Sequence, residues 1–168
     1  MDMTIQTEHG LLTGARVEVT MTLEVPINVL WDRVSDVTQI GRFSPECFEA
    51  KMTDAHHFVG RNRFLEGHVS EALGIVTERK APTTFAWTML DDTGDNGSFW
   101  RYDLSPGVEP GTSVVRHSFE HGPGNTGLRV IAVTDSAVIP VRLGRLAQNM
   151  SATLLAMGRS TSGKGERA

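Results

Sequence analysis

The sequence predicts an α+β domain: an antiparallel sheet of seven strands curled around one long C-terminal helix, with two short helices after the first strand. Three observations predict it. Residues 15–25 alternate strictly between apolar and polar side chains, the pattern of a strand wet on one face. Two loops rich in Asp, Gly, Pro and Asn, "DDTGDNG" at 91–97 and "SPGVEPG" at 105–111, join neighbouring strands as hairpins and so imply an antiparallel meander. After "EHGPGNTG" (120–127) the period changes, and Leu143, Leu146, Met150, Leu154 and Met157 recur at helical spacing.

In the first strand Val17, Val19, Met21, Leu23 and Val25 share one face, while Arg16, Glu18, Thr20, Thr22 and Glu24 share the other. Pro26 ends the ladder and suits the first turn of a helix. Val29, Leu30, Val34 and Val37 then recur at helical spacing, with Trp31 at the edge of the stripe. Asp36 can cap a second short helix through Ile40 and Phe43, which Pro45 ends. Helices this short are marginal alone, so they must be held by packing, and plugging one end of a curved sheet would hold them. Strands are expected at about 46–53, 57–65, 69–80, 83–91, 98–105 and 111–120. A short helix near 126–137 precedes the long one, and Pro140 falls in the first turn of the long helix or kinks it. The domain spans 11–160, with 1–10 and 161–168 as flexible ends.

The 168 residues suit one domain with a full hydrophobic core, without metal or disulfide staples. The apolar fraction of 39% and charged fraction of 21% are those of an ordinary globular chain. A net charge of −4 argues against a nucleic-acid partner, which selects for a basic face. Cys47 is the one cysteine, so no internal disulfide forms and an oxidising compartment is not indicated. The N-terminus "MDMTIQTEHG" lacks the regions of a signal peptide, and no run of about 18 apolar residues occurs. A cytoplasmic location follows by default. A homodimer is compatible with the sequence.

A sheet this large twists, and cannot close tightly on a single helix. In "SEALGIVTE" (70–78), an inward Val76 turns Gly74, Ala72 and Ser70 inward too, and three small residues do not fill a core. Either aromatic neighbours fill the space or a cavity remains there. The neighbours are aromatic: Phe85, Trp87 and Met89 share one face, and Trp100, Tyr102 and Leu104 share another. Phe58, Phe64, Trp87 and Trp100 could wall a pocket, and Asn62, Tyr102 and Arg116 could supply its polar groups, with His68 or His117 as further candidates. At 111–120 two parities are open. Either Val114, Arg116 and Ser118 face inward, or Val115, His117 and Phe119 do. An inward Arg116 would need a partner such as Glu71 or Glu78, or an anionic ligand. An inward His117 reads as a satisfied core histidine. Cys47 reads as a small core hydrophobe. His56 and His57 point to opposite faces of a strand, so they form no metal pair. The expected ligand-binding set is Phe58, Asn62, Phe64, Ser70, Ala72, Gly74, Trp87, Trp100, Tyr102, Arg116 and Ser118. No metal and no cofactor are expected.

The stretch "VPINVLWDRVSDVTQIGRFSPE" (25–46) resembles the opening signature of the START-like (SRPBCC) superfamily, and more narrowly its polyketide cyclase/dehydrase group. "FVGRNR" (58–63, with Phe58, Gly60 and Asn62), "VTE" (76–78), "FAW" (85–87), "WRYDLSP" (100–106) and "GT" (111–112) follow in that group's order. The resemblance covers about residues 15–158. It implies a helix-grip fold, a seven-stranded antiparallel sheet around the C-terminal helix with a deep apolar cavity. This fold hosts carriers, receptors, cyclases and co-chaperones, so function must be argued from the site. The expectation is binding of a small hydrophobic molecule (a lipid, polyketide or aromatic metabolite) in the cavity, without assigned chemistry. One alternative is a polyketide cyclase/dehydratase working in the same cavity through Tyr102 and Arg116. Another is a co-chaperone or interaction module acting through the outer surface.

Overall fold

The computed structural model describes residues 1–6 and 12–159. An eight-stranded antiparallel sheet runs in the order β1-β2-β8-β7-β6-β5-β4-β3. Its strands are β1 (Asp2–Gln6), β2 (Arg16–Leu23), β3 (Cys47–Met52), β4 (His57–Arg63), β5 (Val69–Lys80), β6 (Thr84–Leu90), β7 (Asn96–Pro106) and β8 (Ser113–His121). Helix α1 (Ile27–Val34) and a 3-10 turn (Val37–Arg42) follow β2, and α2 (Gly127–Ala132) and α3 (Val138–Gly158) follow β8. No described helix is long and apolar enough to cross a membrane.

The α+β class, the antiparallel sheet, the two short helical segments and the long C-terminal helix are as expected. The strand count is corrected from seven to eight. Residues 2–6, expected within a flexible end, pair with β2 from Asp2↔Thr20 to Gln6↔Arg16. All five are exposed, so their hydrophobicity carries no period that a sequence pattern could reveal. Residues 7–10 and 161–168, also expected as flexible ends, lie outside the described residues.

The strand alternation translates directly into burial. Val17, Val19, Met21 and Leu23 are buried between the sheet and α3, against Leu143, Leu146, Met150, Leu154 and Met157. Each such side chain taken from water contributes roughly 2 kcal/mol. The 3-10 turn is capped as predicted, with Asp36 Oδ1 accepting from the Thr38 N–H at 3.0 Å. Trp31 is buried, and Arg33 of α1 donates to the Met157 and Arg159 carbonyls at the C-terminus of α3. Helix α1 is thus pinned to the end of the long one.

Helix α3 lies along β2 and β1. The other half of the sheet, β5 to β3, must curl to meet it. Irregular registers at Cys47/Glu49, Val76/Glu78 and Met89/Leu90 mark β-bulges, which bend strands and raise local twist.

Candidate functional site

Residues directly opposite each other in an antiparallel pair point to the same face. The register pairs Asn62↔Ser70, Gly60↔Ala72, Phe58↔Gly74, Val76↔Trp87, Trp87↔Trp100, Trp100↔Phe119 and Tyr102↔His117. Phe58, Asn62, Ser70, Ala72, Gly74, Trp87, Trp100 and Tyr102 are therefore brought to one face, the concave one. Phe64 lies just past β4, stacked on His68 at 5.9 Å and beneath the Arg142 guanidinium at 5.2 Å.

Arg116 and Ser118 are corrected. β8 turns Val115, His117 and Phe119 inward, so Arg116 and Ser118 point to the convex face. Arg116 is exposed and pairs with Asp103 at 3.1 Å. Its suggested partners are engaged elsewhere: Glu78 holds Arg101 at 2.7 Å, and Glu71 lies 3.8 Å from Arg61. Ser118 lines a shallow outer depression of about 270 Å³ with Phe99 and Arg101. A second surface depression, about 360 Å³, lies between α1, the 3-10 turn and the C-terminus of α3.

The concave face carries an aromatic wall. The Trp87 and Trp100 rings are parallel to within 4°, with centroids 5.8 Å apart. Tyr102 tilts against Trp87 at 5.5 Å, and Phe119 meets Trp100 edge-on at 4.9 Å. The Trp100 indole N–H donates to Ser98 Oγ at 2.9 Å. Phe85, Tyr102, His117 and Phe119 are buried, so the wall is sealed toward β8. Trp87, Trp100, Met89, Ala72, Ser70 and Asn62 are only half-buried, although they face inward. Packing is therefore incomplete toward β4 and β5. Gly74 departs from that trend, because the Phe58 ring fills the space above it. A Cβ there would come within 2.6 Å of Phe58 Cε1.

His117 and Tyr102 stack with centroids 4.0 Å apart and planes 15° from parallel. His117 Nδ1 is 3.1 Å from the Arg101 carbonyl oxygen. A carbonyl can only accept, so Nδ1 carries the proton and Nε2 keeps its lone pair. Burial depresses the His117 pKa to about 4, so the ring is neutral at pH 7. Burial pushes the Tyr102 phenol above its ordinary range. Cys47 is pushed up as well, chiefly by burial, and so is a thiol rather than a nucleophilic thiolate. No group of three or more His, Cys, Asp or Glu among the described residues could hold a metal.

One feature of the site was not foreseen from sequence. Glu46, just before β3, is gripped from α3 by Arg142 through its two terminal guanidinium nitrogens, at 2.7 and 2.5 Å. The Asn149 side-chain amide adds a third contact at 2.8 Å. These bonds tie α3 to the sheet edge farthest from β2, and Phe64 sits under the same guanidinium. The Ser-Pro-Glu end of the opening signature was the available signal. Its partner in α3 could not be read locally.

The model of the family described as polyketide cyclase/dehydrase and lipid transport matches residues 14–150. The chain belongs to this family. No curated protein matches it. Among solved structures it resembles a member from Corynebacterium glutamicum, the Polyketide_cyc-like protein Cgl2372, at 25% identity over 86% of this chain and 89% of that one (TM-score 0.59). A conserved protein of Geobacillus kaustophilus is 14% identical over 85% and 92% of the two chains, with a TM-score of 0.65. The di-domain aromatase/cyclase StfQ of the steffimycin biosynthetic pathway is 12% identical over 85% of this chain and 49% of that one, with a TM-score of 0.63. The last two likenesses concern the fold alone. The family match and the Corynebacterium likeness place the chain in the START-like polyketide cyclase group, and the family match supports a ligand-binding or cyclase role.

Proposed function

We propose that the protein binds a small hydrophobic molecule between the concave face and α3, against the Trp87–Trp100 wall. One observation carries this reading. Two parallel indoles face the inside of the domain and yet remain half-buried. Large aromatic surfaces are costly to leave wet, and a flat apolar guest would cover them. Farther along the concave face, beyond Gly74, Ala72, Ser70 and Asn62 are also only half-buried, and the family's description, which includes lipid transport, is consistent with a carried guest.

Binding rather than turnover is the primary reading. The cyclase alternative relied on Tyr102 and Arg116 together, and Arg116 is on the opposite face of the sheet. Tyr102 alone, with its phenol pKa raised, is a proton donor and not a base at neutral pH.

The test is native mass spectrometry of protein purified gently from its own host, followed by extraction of any bound compound. A stoichiometric apolar compound supports the reading. An empty protein that also takes up nothing from a panel of lipids and aromatic compounds overturns it, and would move attention to the outer surface as an interaction face.

A further inference from the structure

The aromatic wall ends in two polar atoms that the protein itself does not use. His117 Nδ1 is bonded to the Arg101 carbonyl, but among the described residues neither His117 Nε2 nor Tyr102 Oη has a hydrogen-bonding partner. At the same time, no fully buried side-chain nitrogen or oxygen among those residues lacks a partner. Both atoms must therefore border open space, even though His117 is only 3% exposed and Tyr102 only 2%. Polar atoms this enclosed are ordinarily satisfied, and here a guest can satisfy them.

Their placement makes them a pair. Tyr102 and His117 are direct partners across β7 and β8, and their rings rise side by side from the sheet. Nδ1 is turned back to the backbone of the neighbouring strand, so Nε2 is directed away from it. Trp87 lies against both rings, at 5.5 Å from Tyr102 and 6.1 Å from His117. A flat guest stacked on the indoles would therefore lie next to both rings.

We propose that His117 Nε2 and Tyr102 Oη form the polar end of the pocket and select an uncharged planar ring bearing a hydroxyl group over anionic lipids. The chemistry of each atom fixes the preference. Nε2 offers only a lone pair, so it requires a donor from the guest. Tyr102 Oη–H can donate to the same hydroxyl oxygen, and one phenolic group can serve both. A carboxylate has no proton to give Nε2, and the nearby cations do not compensate. Arg142 is held by Glu46, and Arg101 and Arg116 are paired with acids on the convex face. This inference rests on the pocket reading above and narrows it.

The test measures wild-type protein by equilibrium dialysis at neutral pH with three probes of similar shape: 2-naphthol, 2-methylnaphthalene and 2-naphthoate. The expected order places 2-naphthol about tenfold tighter than 2-methylnaphthalene, the size of one well-made buried hydrogen bond, with 2-naphthoate weakest. In His117→Phe and Tyr102→Phe proteins the ratio of 2-naphthol to 2-methylnaphthalene affinity should fall toward one. If either variant fails to fold, the wild-type ranking alone decides. Equal binding of 2-naphthol and 2-methylnaphthalene, or tightest binding of 2-naphthoate, overturns the proposal and leaves the pocket intact. Binding of none of the three rejects the pocket and the proposal together.

Discussion

Arg142 and Glu46 stand 96 residues apart in sequence and meet in a two-pronged ion pair that joins α3 to the start of β3. Their side chains are 24% and 16% exposed, so the pair is neither fully buried nor loosely hydrated. It spans the part of the domain where inward-facing residues remain half-buried. The sheet is continuous from β2 to β3, and this pair, with Asn149, makes the helix close the far side of the curl.

Removing one partner should therefore do more than a surface ion pair would. Arg142→Ala leaves Glu46 with only the Asn149 amide and uncovers Phe64. We expect a loss of about 2 kcal/mol, between the values for exposed and buried pairs, or a fall in Tm of about 4–8 °C. Glu46→Gln keeps an acceptor for Asn149 and should cost less. Chemical denaturation of the three proteins measures this. Equal stability of Arg142→Ala and wild type would mean the pair contributes nothing to closure.

The Phe58–Gly74 contact gives a second prediction. The Phe58 ring is 4% exposed and lies where a side chain at 74 would begin. Gly74→Ala should cost roughly 1–3 kcal/mol through overpacking. Combining it with Phe58→Leu, which shortens the obstructing side chain, should cost less than the sum of the two single changes. Urea denaturation of the single and double variants provides the cycle, and strict additivity would mean that Phe58 is not the obstacle.

The strand segments, the caps and the long helix were legible because each is written locally: a period of two, a period of 3.6, or a capping residue such as Asp36. The inward set on β7 was legible for the same reason, since Trp100, Tyr102 and Leu104 alternate with Arg101 and Asp103. The parity of β8 was not. Val114 and Val115 are both apolar, and only pairing with β2 and β7 decides that His117 rather than Arg116 turns inward. Local pattern could not decide between a filled and an open Gly74 position, because the ring that fills it comes from the adjacent strand β4. The Glu46–Arg142 pair and strand β1 depend wholly on distant partners, and no local pattern encodes either.

His117 sets an acid limit on stability. Its folded-state pKa is about 4, below the ordinary histidine value near 6.5, because burial disfavours the charged ring. Above pH 6.5 the ring is neutral in both states and the term vanishes. As pH falls from 6.5 toward 4 the unfolded chain binds the proton first, so the native state loses ground. The loss should reach roughly 3 kcal/mol near pH 4 and then level off. His121, lowered mainly by burial, acts in the same direction. Denaturation midpoints at pH 7 and pH 4.5, compared with His117→Asn, measure the effect. An identical acid slope in that variant would remove His117 as its source.

Blocking the pocket requires a position with room, and Gly74 has none to give. Ala72 is the better choice, since it faces inward opposite Gly60 and is half-buried. Ala72→Trp adds a large side chain to the half-buried part of the concave face. In a protein that still folds by circular dichroism, it should abolish uptake of 2-methylnaphthalene and leave any interaction made through the convex face unchanged. Retained uptake would place the guest elsewhere and reject the concave site. Loss of a partner interaction with uptake intact would favour the interaction-module reading instead.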